Sequence, residues 1–128
     1  MKKNALLVMF LILLVSCAQD DATDNCLEFN EAPVETVTVL PADTNGAYPI
    51  TVAFRVSNGC GDFSIFDDTT AGTTTTIKVV AQYEGCICTQ DTPLLEATYL
   101  FEPTAPGTYT LKFLTYEEEY ITETIVVD

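Results

Sequence analysis

The chain predicts an all-β fold, a single sandwich of two antiparallel sheets over residues 33–128, and three observations predict it. Apolar and polar residues alternate with period two in several short runs. Turn-forming residues separate those runs at a spacing of roughly 8–12 residues, which about seven strands in some hundred residues require. No helical period is present after residue 16.

Taken in order, the first strand is expected over Val34 to Leu40, rich in valine and threonine and stopped by Pro41. Asp43-Thr44-Asn45-Gly46 has the residues of a tight reversal. Tyr48 to Ser57 is the clearest strand. Its Ile50, Val52, Phe54 and Val56 face one side, and Thr51, Ala53, Arg55 and Ser57 face the other. Asn58-Gly59-Cys60-Gly61 should break it, on the expectation that the two glycines take backbone angles other residues avoid. A short strand from Asp62 to Phe66 follows, then a polar loop from Asp67 to Thr73. Thr74 to Tyr83 returns to strand with Ile77, Val79 and Ala81 on one face. Gly85 to Pro93 is expected to be a loop or strand edge. Leu95, Ala97, Tyr99 and Phe101 alternate with Glu96, Thr98 and Leu100 before Pro103; Tyr109, Leu111 and Phe113 alternate with Thr110, Lys112 and Leu114, and a last strand runs from about Tyr120 to Val127.

The stretch Ala105-Pro106-Gly107-Thr108-Tyr109-Thr110-Leu111 resembles the tyrosine corner of immunoglobulin-like and fibronectin-type domains. The resemblance covers residues 33–128 in strand rhythm and implies an Ig-like sandwich; the tryptophan of antibody domains is absent. Fold likeness of this kind carries no function with it.

The amino-terminal end reads differently. Lys2 and Lys3 precede eleven uncharged residues, Ala5 to Val15, and then Ser16 and Cys17. At about 1.5 Å per residue such a run spans only about half of a bilayer's hydrocarbon layer. A basic start, a short apolar centre and a small residue are the parts of a secretory signal. Leu14-Val15-Ser16-Cys17 resembles the lipobox of bacterial lipoproteins, which implies cleavage before Cys17 and acylation of that cysteine. Residues 1–16 are then the signal, and 17–32 an acidic tether. Ala18-Gln19-Asp20-Asp21 is similar to the acidic tag by which one group of Gram-negative bacteria sends lipoproteins to the cell surface, so the implied location is the outer membrane. The plain alternative for those acids is a solvated spacer.

Without residues 1–16, 112 of the 128 residues remain, and the basic count falls from 5 to 3 against 19 acids, a net charge of −16. Nucleic acid is thereby excluded as a partner, since phosphate binding needs a basic stripe and only Arg55, Lys78 and Lys112 remain.

Four cysteines follow Cys17: Cys26, Cys60, Cys86 and Cys88. In an exported small domain an even set reads as two disulfides. Cys86 and Cys88 are too close in sequence to bridge without strain, so each is expected to pair with Cys26 or Cys60, in either arrangement. Zinc is the rival for these thiols, but Cys-x-Cys is not knuckle spacing and the chain has no histidine.

The missing histidine also removes Ser-His and Cys-His nucleophiles. Adjacent acids at Asp67-Asp68 and Glu117-Glu118-Glu119 point apart on an extended chain, which argues against paired-carboxylate catalysis. The expectation is a protein that is not an enzyme and has no cofactor. A weak calcium site from Asp62, Asp67, Asp68 and Glu117 to Glu119 is the remaining metal idea, without a ligand loop to shape it. Asp68-Thr69-Thr70 resembles a bacterial O-glycosylation acceptor, with Thr69 as the modified residue; an Asx-capped turn is the alternative. Tyr83, Tyr116 and Tyr120 have no evident core position, and Tyr116 with Tyr120 is the nearest thing to a recognition patch. These features together imply a membrane-anchored binding or structural module whose partner is an envelope protein, a host protein or a glycan. The rival readings are an accessory subunit of an envelope complex and a calcium-binding protein.

Overall fold

The computed structural model describes residues 26–128. Eight strands lie among them: β1 (Leu27–Ala32), β2 (Val34–Val39), β3 (Tyr48–Arg55), β4 (Gly61–Ala71), β5 (Thr74–Glu84), β6 (Leu94–Phe101), β7 (Gly107–Leu114) and β8 (Tyr120–Val127). They form two sheets, one of β2-β3-β6 and one of the other five strands. The fold is the expected all-β sandwich, with eight strands in place of about seven and with one parallel pair, β5–β7, where both sheets were expected to be antiparallel.

In the larger sheet β4 runs antiparallel along almost the whole of β5, from Gly61 opposite Tyr83 to Ala71 opposite Thr74. The other edge of β5 is therefore shared. β1 pairs with Val79 to Glu84 and β7 with Thr74 to Ile77. The β5–β7 pair is parallel, unlike every other pair in the sheets, and β8 closes the sheet against β7. Pro33 lies between β1 and β2, where the chain passes from one sheet to the other. A residue without an N–H suits a point where the ladder must end.

The inward residues of both sheets make one core. Phe54, Phe113, Ile50, Ile77, Leu111, Val34, Val52, Val56 and Val79 are fully buried. Phe54, Phe63, Phe66, Tyr99 and Phe113 form a continuous aromatic chain, each ring 4.8 to 6.1 Å from the next, across the opening between β4 and β6. Such edge and tilted contacts add roughly 0.5–1.5 kcal/mol per pair beyond area burial.

Three sequence expectations need correction. Leu27–Ala32, assigned to the tether, is strand β1, yet every residue in it except Ala32 is exposed. Its ladder with β5 and the adjoining Cys26 hold it, so no burial pattern marks it. Asp67 to Thr73 is not a polar loop: β4 continues to Ala71, and the reversal is confined to Gly72 and Thr73. A β-bulge between Phe63 and Ile65 adds one residue, so that Phe63 and Phe66, three apart, both face the core. That shift of parity hides the strand from a period-two reading. Gly59 and Gly61 do not adopt positive φ. They are required for space, because a Cβ on Gly61 would lie 2.5 Å from the Cβ of Val56 and 2.8 Å from the ring of Tyr83.

Other expectations hold. Asp43 caps its turn, its Oδ1 accepting from the N–H groups of Asn45 at 2.7 Å and Ala47 at 3.0 Å. The Tyr109 hydroxyl donates to the Ala105 carbonyl oxygen at 2.7 Å, which is the tyrosine corner. Gly107 leads into it at φ +151, a region open to glycine.

Candidate functional site

The end of the sandwich where β3 turns into β4 and β5 leaves for β6 carries two disulfides. Cys26 pairs with Cys86 and Cys60 with Cys88, with Cα separations of 5.0 and 5.4 Å. The four cysteines expected to bridge do so, in one of the two arrangements left open. No free thiolate remains among the described residues for zinc.

Backbone bonds complete the clamp. Gly59 N–H donates to the Thr89 carbonyl at 3.0 Å, Gly85 N–H to that of Cys26 at 2.8 Å, and Val56 N–H to that of Pro93 at 3.2 Å. The segment 85–93 is therefore fastened at both ends and at its middle. Gly85, at φ +134 and with a would-be Cβ 3.0 Å from the Cys60 sulfur, is a position only glycine fills without strain. An open cleft of about 520 Å³ lies against this clamp, lined among others by Cys26, Leu27, Glu28, Asn58 and Gln90. Tyr83, unplaced from sequence, is buried beneath it, and its hydroxyl accepts from the Ser57 N–H at 3.1 Å.

A second cleft, of about 280 Å³, is bounded by Pro33, Arg55, Thr92 and Tyr116. Sequence reasoning placed Arg55 only as a wet-face residue. In the structure it forms a two-pronged ion pair with Glu35, Nε to Oε1 at 2.5 Å and Nη2 to Oε2 at 3.0 Å, while Nη1 donates to the Thr92 carbonyl at 2.7 Å. The bulge that puts Glu35 on this face lies between Val34 and Thr36. The bond from Arg55 holds the Glu35 carboxyl below its ordinary range, and the Arg55 guanidinium is pushed up in turn.

Of the two tyrosines singled out from the sequence, Tyr116 borders the Arg55 cleft, and the Tyr120 ring carries the Lys112 ammonium 4.6 Å from its centroid. Between them Tyr116–Glu118 is a short 3-10 turn in which Glu117 and Glu118 both sit at positive φ, +55 and +60. Two successive glutamates in the left-handed region are strained.

Asp68 and Thr69 lie on β4. The Asp68 carboxylate accepts from the Tyr99 hydroxyl at 2.6 Å, so it is not capping a turn. Burial, aided by that bond, pushes the Tyr99 hydroxyl well above its usual pKa. Thr69 is exposed. Lys78 is held by Glu31 at 2.7 Å, which raises its pKa. No three of the acidic or thiol side chains among the described residues converge as metal ligands would, the calcium candidates Asp62, Asp67, Asp68 and Glu117 to Glu119 included. No helix among them is long and apolar enough to cross a membrane. Cys17 and residues 1–16 lie outside the described residues.

A β-sandwich module clamped at one end by two disulfides is the class these features define. Residues 50–127 match the family model of the ORF11 beta-sandwich domain. That match spans more than half of the chain, and the chain belongs to this family. No curated protein and no solved structure matches it.

Proposed function

We propose that this protein is a bacterial lipoprotein, exported by residues 1–16 and acylated at Cys17, whose sandwich serves outside the cytoplasm as a non-catalytic binding or structural module. The observation that carries the reading is the closing of all four remaining cysteines into two disulfides. Such bridges persist in oxidising compartments and are rare in the cytosol. The lipobox-like Leu14-Val15-Ser16-Cys17 supplies the matching signal, and two or three acyl chains exceed what stable anchoring needs. The acidic residues after Cys17 favour the outer membrane and its outer face. The module's partner is then an envelope protein, a host protein or a glycan, and Thr69, exposed on β4, is a candidate glycosylation site.

Expression in a Gram-negative host, fractionation and intact mass test this. The expected mass is that of a chain starting at Cys17 with acyl groups, no free thiol and membrane partition. A soluble chain starting at Met1 with all five cysteines as free thiols would refute it. In the same spectra a hexose-sized increment lost on Thr69→Ala identifies the glycan.

A further inference from the structure

Ile87 stands between the two bridged cysteines, so the backbone on each side of it is pinned. Its exposure is 95%, the largest of any large apolar residue described. A single exposed apolar side chain is ordinary; the place of this one is not. The chain enters the described structure at Cys26, and the Cα of Cys86 is 5.0 Å from that of Cys26. One further residue adds ~3.8 Å, so Ile87 lies within about 9 Å of the entry point. Cys17 is nine residues earlier, and nine residues reach at most about 32 Å when fully extended. A bilayer holding an acyl group on Cys17 therefore has this end of the sandwich as its near end. Strand β5 alone, with 11 residues, carries the opposite end about 36 Å further away.

We infer that the disulfide-clamped end rests on the membrane, with Ile87 entering the headgroup layer and Leu27, 47% exposed and next to Cys26, at the same end. This rests on the proposed acylation of Cys17. The clamp matters because a backbone that is already held loses little freedom when the side chain it carries inserts. The charge at this end selects the lipid. Glu28, Glu84 and Asp91, all exposed, lie within three residues of its bridged cysteines, and the guanidinium that reaches Thr92, that of Arg55, is taken by Glu35. A zwitterionic phospholipid surface suits it better than an anionic one.

The sequence has no tryptophan, which makes Ile87→Trp a clean reporter in the full acylated chain. Leu100→Trp, exposed on β6 at the far end, is its control. In phosphatidylcholine vesicles the Ile87→Trp indole should emit to the blue of its position in detergent-free buffer. Lipids with a quencher on the upper acyl chain should quench its emission, as an indole at the headgroup level would be quenched, and leave Leu100→Trp unchanged. Vesicles rich in phosphatidylglycerol should reduce the quenching. With acylation confirmed by mass, water-like emission from both variants overturns the docking and leaves the anchor standing. So does an Ile87→Trp signal that shifts only when an envelope protein is added, which would assign the knob to a protein socket. Absence of acyl groups on Cys17 overturns the anchor and the docking together.

Discussion

Replacing the cysteines in pairs, Cys60→Ala with Cys88→Ala and Cys26→Ala with Cys86→Ala, measures what each bridge contributes without leaving a lone thiol. Taken alone, the bridges close loops of 28 and 60 residues, which in the loop-entropy account stabilise by about 3.6 and 4.3 kcal/mol. The loops overlap, however. With Cys60–Cys88 in place, the unfolded chain already connects Cys26 to Cys86 through 34 residues, the bridge and 2 more, so the second bridge closes a loop of about 36 residues and contributes about 3.8 kcal/mol. The two paired variants should thus be nearly equal, each less stable by about 3.5–4 kcal/mol and melting roughly 15–25 °C lower for a domain of this size. Urea unfolding of the oxidised soluble domain and of both variants, with slopes compared, is the assay. A loss below about 1 kcal/mol for either pair would refute the reasoning, because the bridges would then be surface ornaments on a chain ordered without them. The double loss, above 7 kcal/mol, is comparable with the whole stability of a small domain, and that variant should be unfolded at 37 °C.

Gly61→Ala should cost about 1–3 kcal/mol by overpacking against Val56 and the buried Tyr83 ring, whereas Gly59→Ala should cost less, since the group it meets is the movable Thr89 side chain; paired chemical denaturation curves check the order. Tyr109→Phe removes the bond to the Ala105 carbonyl and should lower stability by about 1 kcal/mol in the same measurement. Tyr99 titrates above its usual value in the folded chain. Its contribution is therefore intact below the unfolded tyrosine pKa near ~10 and is lost as pH rises beyond it. Thermal melts should show stability falling from about pH 10 upward, and Tyr99→Phe should flatten that fall. Glu35, held low by Arg55, has the opposite sign: its contribution is present above the ordinary carboxylate pKa and disappears as pH falls below it.

Strands that bury alternate residues were legible in the sequence and those that do not were hidden, which has a physical cause. β3, β5, β6 and β7 each send a clean apolar row inward, from Ile50 to Val56 in the first case and from Ile77 to Tyr83 in the second. Period two records that burial directly. β1 buries only Ala32 and exists through its ladder with β5, so its residues carry no such record. In β4 the alternation is present but broken at Ser64 by a bulge, which is a property of the pairing rather than of the residues. Disulfide partners were half-legible for a similar reason: spacing excluded one pairing, while the choice between the others depends on where β1 lies against β5. The Arg55–Glu35 and Tyr99–Asp68 contacts join residues 20 and 31 positions apart on different strands. No local pattern announces such pairs. The hint was that Arg55 is the only charged residue of β3.

The same accounting bears on what the bare edges of this acidic sandwich present to a second copy. β6 and β8 each pair on one side only, and neither contains the lysine, proline or bulge that commonly blunts an edge. What they do carry is one glutamate each, Glu96 and Glu123. The three cations of the described residues cannot offset these, because Arg55 is held by Glu35, Lys78 by Glu31 and Lys112 by the face of Tyr120. A second copy approaching either edge therefore meets carboxylates with no cation free to bridge them, and the net charge of −14 opposes the approach from a distance. Like charge here substitutes for the local devices that other sheets use.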